Sequence, residues 1–288
     1  MSSKESSMLT AISPDLPKLP DEPQLGGRQR GRTQNRALAT FFRGIALPLV
    51  AVAVWQLIGS MGWVQPVLLP SPFAILKAFV QLGQTGELWR DLGISVFRVV
   101  VGFVIGGGLG LLAGIGAGLW KGVEQVLDPT FQTLRTIPHL AITPLFILWF
   151  GLGESSKISL IAFGAFFPLY INAFMGIRNV DRKLFDVTRV LDFSRRQQLV
   201  KLVIPGAMPN ILIGLRLSLG VAWLTLIVAE LMGSNSGVGY LIENATQFSQ
   251  TSYVFVGIVI FAVVGKLSDS LVRMFERRLL QWRDTYSG

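Results

Sequence analysis

Four uncharged apolar stretches, residues 44–62, 99–120, 136–153 and 158–177, punctuate the chain. Each is close to the roughly 20 residues that a helix needs to cross hydrocarbon. Nothing else in the sequence narrows the possible folds as much. Inside a bilayer every backbone N–H and C=O must be paired within the chain, which leaves helices and closed barrels. The runs are continuously apolar and lack the period-two alternation of a barrel strand. Two further runs, 206–233 and 252–272, carry charges: Arg216 and Glu230 in the first, Lys266 and Asp269 in the second. The expectation is an all-α integral membrane protein with six transmembrane helices. Composition agrees, with 51% hydrophobic and 15% charged residues against roughly a quarter charged in soluble domains.

The positive charge is distributed unevenly. Residues 1–43 hold Lys4, Lys18, Arg28, Arg30, Arg32, Arg36 and Arg43, and the loop between spans four and five holds Arg178, Arg182, Lys183, Arg189, Arg195, Arg196 and Lys201. The C-terminal end adds Arg273, Arg277, Arg278 and Arg283. Loops of the opposite parity hold fewer: Lys77, Arg90 and Arg98 in 63–98, and Lys157 in 154–157. The positive-inside bias then places both termini and the 178–205 loop in the cytoplasm, which an even number of spans satisfies. The net charge of +9 is accounted for by those loops, so no nucleic acid is expected as a partner. Residues 1–43, with Pro14, Pro17, Pro20 and Pro23 at every third position, are expected to be a disordered Pro-rich tail. Residues 44–283 form the transmembrane domain and 284–288 a short tail. No secretory signal is expected, because more than forty polar residues precede the first apolar run.

Within the spans, Gly102, Gly106, Gly110, Gly114 and Gly118 form a small stripe at every fourth position. In lipid such a stripe lets a neighbouring helix approach closely. Pro138 and Pro144 are expected to bend or open the third span. In the 178–205 loop, Asp181 can cap a short helix to about Leu191, and Ser194 with Gln197 has capping-box spacing for a second. Asp192 falls at the turn between them, and Pro205 is expected to end the second helix before the chain re-enters the membrane. The pair carries apolar residues among its charges and needs a lipid surface or a partner protein to cover them.

The chemistry available is limited. With no Cys and a single His, disulfides, thiolate nucleophiles, iron–sulfur clusters and His-rich metal sites are excluded. A phosphate-cradling loop is missing too: Gly265-Lys266 is followed by Leu267, and position 260 is Ile. No nucleophile and base pair credibly, so an enzyme is not expected. Candidate polar groups within the membrane are Glu230, a gate, a partner for Arg135 or an interfacial carboxylate; Arg135 and Arg216, near helix ends; and Trp149 and Trp223, as packing or anchoring side chains. His139, beside Pro138, is expected to be a satisfied packing residue.

Asp186-Val187-Thr188, Asp192, Leu202 and Ile204-Pro205 resemble the permease signature of ATP-binding cassette importers. In that signature an acidic residue and two alanines precede a Gly six residues on and an Ile-x-Leu-Pro ending. All spacings match, with Asp192 at the Gly position. Residues 135–157 and 216–245 resemble segments of permeases for aliphatic sulfonates, whose relatives import nitrate, bicarbonate and taurine. The resemblance runs from about 45 to 283. It implies a type I importer permease fold in a bacterial inner membrane and a homodimer. It also implies two partner ATPase subunits that carry ATP and Mg, and a periplasmic or lipid-anchored substrate-binding protein. No cofactor is implied for this chain itself. The implied ATPase-coupling residues are Asp186, Val187, Thr188, Asp192, Phe193, Ser194, Arg195, Leu202 and Pro205. Arg135, Pro138, Trp223 and Glu230 are the pathway or gate candidates. The competing expectation is an ion-coupled carrier with Glu230 as its coupling carboxylate, disfavoured because residues 44–150 and 158–272 show no internal repeat.

Overall fold

The computed structural model describes residues 46–280. The expected Pro-rich tail 1–43 and C-terminal tail 284–288 lie outside the described residues. Two compact units are distinguished, Met1–Ala53 and Val54–Gly288. Of the first, only the beginning of helix α1 (Ala46–Ser60) is described.

Among the described residues every regular element is helical: α2 Pro72–Thr85, α3 Glu87–Leu119, α4 Lys121–Leu134, α5 His139–Phe150, α6 Glu154–Arg178, α7 Arg182–Val190, α8 Arg195–Gln198, α9 Ile204–Leu231, α10 Val238–Gln247 and α11 Thr251–Leu279. Four continuous helices are long and apolar enough to cross a membrane: α3, α6, the run Arg195–Leu231 and α11. The α4–α5 pair makes a fifth if its two arms count as one broken span, and α1 falls short of that length. The expected count of six is therefore met only in part. Residues 136–153, expected as one span bent or opened at Pro138 and Pro144, lie at and beyond a bend of 103° between α4 and α5. Pro138, at the N-cap of α5, cannot continue a helical ladder, whereas Pro144 is accommodated within α5. Residues 63–98, expected as a loop, contain α2 and the first turns of α3.

Helix α6 is the centre of packing, with α3 on one side and α9 on the other. The α3–α6 contact follows the glycine stripe. A Cβ added at Gly106 would run into the backbone of Ala162, one at Gly110 into that of Phe166, and one at Gly114 into that of Tyr170. Only side chains reduced to hydrogen allow backbones this close. Ile161 and Ala165 of α6 pack both with Val99 of α3 and with Ala222, Trp223 and Leu226 of α9, and the Ser218 hydroxyl donates to the Ala165 carbonyl. A second apolar cluster joins α2, α3, α10 and α11 through Ala78, Leu82, Leu88, Val238, Leu241, Val256 and Ile260. Helix α4 is tied to α6 by the Tyr170 hydroxyl on Asp128 Oδ1 at 3.1 Å and by the Arg178–Glu124 ion pair. Large apolar side chains remain exposed on the outward faces of the long helices, among them Val104, Leu112, Leu148 and Leu267, as lipid or another chain requires.

Candidate functional site

Two constellations stand out, one at each end of the long helices. The first surrounds Arg98. Asp91, Ser95 and Arg98 follow each other at four and three residues on α3, so all three lie on one face, and all three are buried. Arg98 reaches three segments at once. Its Nη1 donates to Glu230 Oε1 at 2.7 Å and to the Ser236 carbonyl at 2.7 Å. Nε and Nη2 donate in parallel to the two Glu154 oxygens at 2.7 and 2.5 Å, a bidentate fork of the kind only Arg can make. Glu230, with a fully buried side chain, also accepts from Ser95 Oγ at 2.8 Å and from the Gly239 N–H at 2.8 Å. Ser95 Oγ in turn accepts from the Val238 N–H, and Asp91 from the Gly237 N–H. Lys157 Nζ donates to the Leu152 and Gly153 carbonyls that follow α5. The cluster therefore staples α3, the start of α6, the end of α9 and the 234–239 turn. Gly237, at φ +108°, has no room for a side chain because a Cβ would meet the Glu230 carboxylate.

Glu230, the penultimate residue of α9, is thus paired with Arg98 and not with Arg135, which is exposed. Arg98 had been placed among the loop charges. The signal that would have found it is the 91, 95, 98 polar spacing at the head of an otherwise apolar helix.

The second constellation is the 178–205 segment. Asp181 caps α7 by accepting the Lys183 N–H at 2.9 Å. Ser194 and Gln197 form a complete capping box on α8, at 3.3 and 2.9 Å. Between them, the Phe193 N–H reaches the Thr188 carbonyl and the Asp192 N–H that of Arg189, at 3.0 and 3.1 Å. These are the two bonds of a Schellman motif, with Asp192 at the left-handed position usually given to Gly; its φ is +52°. A side chain here costs about 1 kcal/mol or more. Asp192→Val is accordingly expected to loosen the turn and speed limited proteolysis of this segment, whereas Asp192→Gly leaves it as resistant as the parent chain or more so. Phe193 lies under Lys201 Nζ, 5.3 Å from the ring centre. Thr188 is buried, while Leu184, Val187, Val190 and Leu191 are exposed, as are Asp186, Ser194 and Arg195. The turn thus presents an apolar and basic surface.

Pro205 does not end the second helix, contrary to expectation. The helix runs unbroken from Arg195 to Leu231 because Leu199–Val203 widens into a π-turn. There the Ile204 N–H donates five residues back, to Leu199, which opens the ladder beneath the proline ring and its missing N–H. Leu202 lies within that turn.

Elsewhere, the Trp223 Nε1–H donates to Ser268 Oγ at 3.1 Å beside a cavity of about 520 Å³ between α9 and α11. The Arg216–Asp269 ion pair stands in the lining of the same cavity. Trp149 is exposed. Pro138 and Arg135, both exposed, flank the α4–α5 bend. The expectation that His139 is satisfied fails: its ring packs edge-on against Phe163, but Nε2 has no hydrogen-bond partner. Orphaned atoms of this kind arise from contacts that no local pattern encodes.

Comparison with known proteins agrees with this architecture. The chain is 60% identical over 248 residues to the aliphatic sulfonates transport permease protein SsuC of Bacillus subtilis, covering 86% of this chain and 90% of that protein. It is 48% identical to the Escherichia coli protein of the same name, covering 83% and 91%. Its fold is similar to that of a chain of an amino acid ABC transporter solved with histidines, with a TM-score of 0.57, 19% identity and coverage of 69% and 97%. Residues 106–281 match the family described as binding-protein-dependent transport system inner membrane component. With most of its length aligned and the same helical fold, the chain belongs to that family of ABC importer permeases.

Proposed function

We propose that this chain is the membrane-spanning subunit of an ATP-driven importer that carries a small oxyanion, an aliphatic sulfonate, inward across the inner membrane of a bacterium. The observation that carries the reading is the 60% identity, over 86% of the chain, to a permease named for aliphatic sulfonates. In this reading both termini and the 178–205 segment face the cytoplasm, and the Arg98 cluster faces the outside. Two copies form the pathway. Two separate ATPase subunits, which hold the ATP and Mg²⁺, dock on the α7–α8 turns, and an external binding protein delivers substrate. The chain itself hydrolyses nothing.

Coupling follows from the shape of the turn. Asp186, Val187, Thr188, Asp192, Phe193, Ser194 and Arg195 build the knob that a partner ATPase grips. Leu202 and Pro205 lie on the helix that carries its displacement into α9 and past Trp223. Arg135 and Pro138 flank the bend beside the pathway. Glu230 acts on access through the Arg98 staple, without touching substrate, since a buried carboxylate would repel an anion. ATP binding by the partners would select the outward-open arrangement of a two-state equilibrium.

The test is purification of the tagged full-length chain from membranes, followed by transport in proteoliposomes with the ATPase and binding protein. A stoichiometric nucleotide-binding ATPase is expected to copurify, and ATP to drive ethanesulfonate uptake. Phe193→Ala combined with Arg195→Glu is expected to remove most of the bound ATPase and at least about 90% of uptake, because charge reversal at a docking surface weakens association by several kcal/mol. A chain that purifies alone and moves solute under an ion gradient would reverse the proposal in favour of an ion-coupled carrier.

A further inference from the structure

The cavity of about 520 Å³ between α9 and α11 is hollowed by glycine on both walls. Gly220 of α9 and Gly265 of α11 line it, and a Cβ built on either would meet nothing within 4 Å. Trp223, Leu224, Ile227 and Phe261 supply much of the rest of an apolar trough. It runs from Arg216 to Ile227 along α9, about 16 Å of helix. Of its lining, Leu217 and Leu224 are exposed, so the trough is open along one side. At the Arg216 end stand the charges. Asp269 accepts Arg216 Nε on one oxygen and Arg273 Nε on the other, the latter at 3.0 Å. Two cations on one carboxylate leave one positive charge over, and the Arg216 side chain is 40% exposed. The depth follows from α6, whose 25 residues cover about 37 Å, slightly more than a roughly 30 Å hydrocarbon layer. Ala165, near the middle of α6, therefore lies near the midplane. Ser218 is bonded to its carbonyl, and Arg216 precedes Ser218 by half a turn of α9. A part-exposed arginine at that depth does not face hydrocarbon, where a charge is costly; it faces water, protein or an anion.

We propose that this trough is a mid-membrane subsite for the transported alkanesulfonate, with the sulfonate group on Arg216 and the aliphatic chain laid along Gly220 and Gly265 against Trp223. The guest and the trough share one pattern, an anionic head on an apolar chain facing a cation at the end of an apolar groove. A guanidinium fork pairs with two oxygens of such a head as it does with a carboxylate or phosphate. An anion that takes Arg216 leaves Asp269 still held by Arg273, so no charge is stranded in the membrane. Along the trough each buried methylene is worth about fourfold in affinity, a gain that an oxyanion without a chain cannot make. The Trp223 wall is fixed by its bond to Ser268 Oγ at 3.1 Å. A phospholipid does not fit the same pattern, because its headgroup stays at the membrane surface, roughly half a hydrocarbon layer away from Arg216.

This inference rests on the reading of the chain as an alkanesulfonate importer, and its test separates the two. Binding of radiolabelled ethanesulfonate and hexanesulfonate to the purified permease–ATPase complex is measured by equilibrium dialysis. The binding protein is left out there, so that its own chain-length preference does not enter, and is added for a parallel measurement of ATP-driven ethanesulfonate import. Wild type is expected to bind hexanesulfonate roughly tenfold or more tighter than ethanesulfonate. Gly220→Leu and Gly265→Leu, which fill the trough without a clash, remove that difference. Arg216→Gln weakens binding of both chains roughly tenfold or more, the value of a hydrogen bond to a charged group, and Arg216→Lys recovers part of the loss. If Arg216→Gln does not assemble with the ATPase, the chain-length ratio in the glycine variants decides the matter. Glycine variants that keep the wild-type ratio overturn the subsite: with full affinity the trough holds only lipid or water, and with an equal loss for both chains it is a contact with the second copy. A wild-type complex that imports ethanesulfonate yet binds both chains equally, or neither, overturns it as well. If wild type imports no alkanesulfonate at all, the function reading fails and the subsite falls with it.

Discussion

Arg98→Ala is expected to destabilise the protein by about 3–5 kcal/mol, the loss seen when one member of a buried ion pair is removed and the other stays charged and dry. Its partner Glu230 has no exposed side-chain surface and would keep only Ser95 and the Gly239 N–H as donors. The Ser236 carbonyl and Ser234 Oγ would each lose one of two donors and keep only each other's. The measurement is the thermal midpoint of the detergent-purified chain, followed by fluorescence-detected size exclusion, together with its accumulation in membranes. Glu154→Gln is the calibrating variant. Glu154 is 53% exposed, so water can replace much of its bond to Arg98, and a loss within about 1 kcal/mol is expected. Arg98→Met combined with Glu230→Leu should recover a large part of the single-variant loss, because an apolar pair leaves no charge behind. A double variant as unstable as Arg98→Ala would show that the hydrogen bonds to the 234–239 turn, and not the ion pair, are what matter.

Gly106→Leu is expected to prevent accumulation of the folded chain altogether. At this position the α3 backbone lies against the backbone of Ala162 in α6, and backbone atoms cannot rotate out of the way as a side-chain tip can. The two helices must separate, and the whole stripe from Gly102 to Gly118 separates with them. Overpacking of a core by flexible atoms already costs about 1–3 kcal/mol, and displacement of two packed backbones exceeds that. Even Gly106→Ala should lower the thermal midpoint. Gly108, in the same turn of α3, faces open space, and Gly108→Ala should leave the midpoint unchanged or raise it slightly, since Ala is the better helix former. Equal behaviour of the two alanine variants would refute the assignment of the stripe to the α3–α6 contact.

The features legible beforehand were those written into neighbouring residues. The glycine stripe is a four-residue repeat, the Asp181 cap and the Ser194–Gln197 box are short spacings, and the turn at Asp192 follows from two helices that must meet within a few residues. The stripe is a matter of spacing alone, and the cap, the box and the turn are determined by bonds between positions at most five apart, so the order of residues is enough to predict them. Helical spans are legible for the same reason: the helix satisfies its own backbone, and apolar length alone selects it.

The misreadings lie where distant positions meet. Arg98 and Glu230 are 132 residues apart, and nothing near Glu230 announces an arginine. From sequence the carboxylate could equally have been a gate, an interfacial group or a partner for Arg135. Pro205 was expected to stop a helix because the local rule does not foresee a π-turn that widens the ladder beneath it. Helix α2 escaped notice because it buries only Ala78 and Leu82, in a cluster contributed mainly by α3, α10 and α11. His139 was expected to be satisfied, and whether a partner lies within reach depends on where α9 places Thr225. The sequence by itself determined that this chain is a set of membrane helices with a capped helix–turn–helix between two of them, because hydrogen bonds and hydrophobicity at short range dictate both. Only the tertiary structure decided which charges neutralise one another and which polar atoms are left without a partner, because in a medium without water those outcomes depend on what each buried group meets across the bundle.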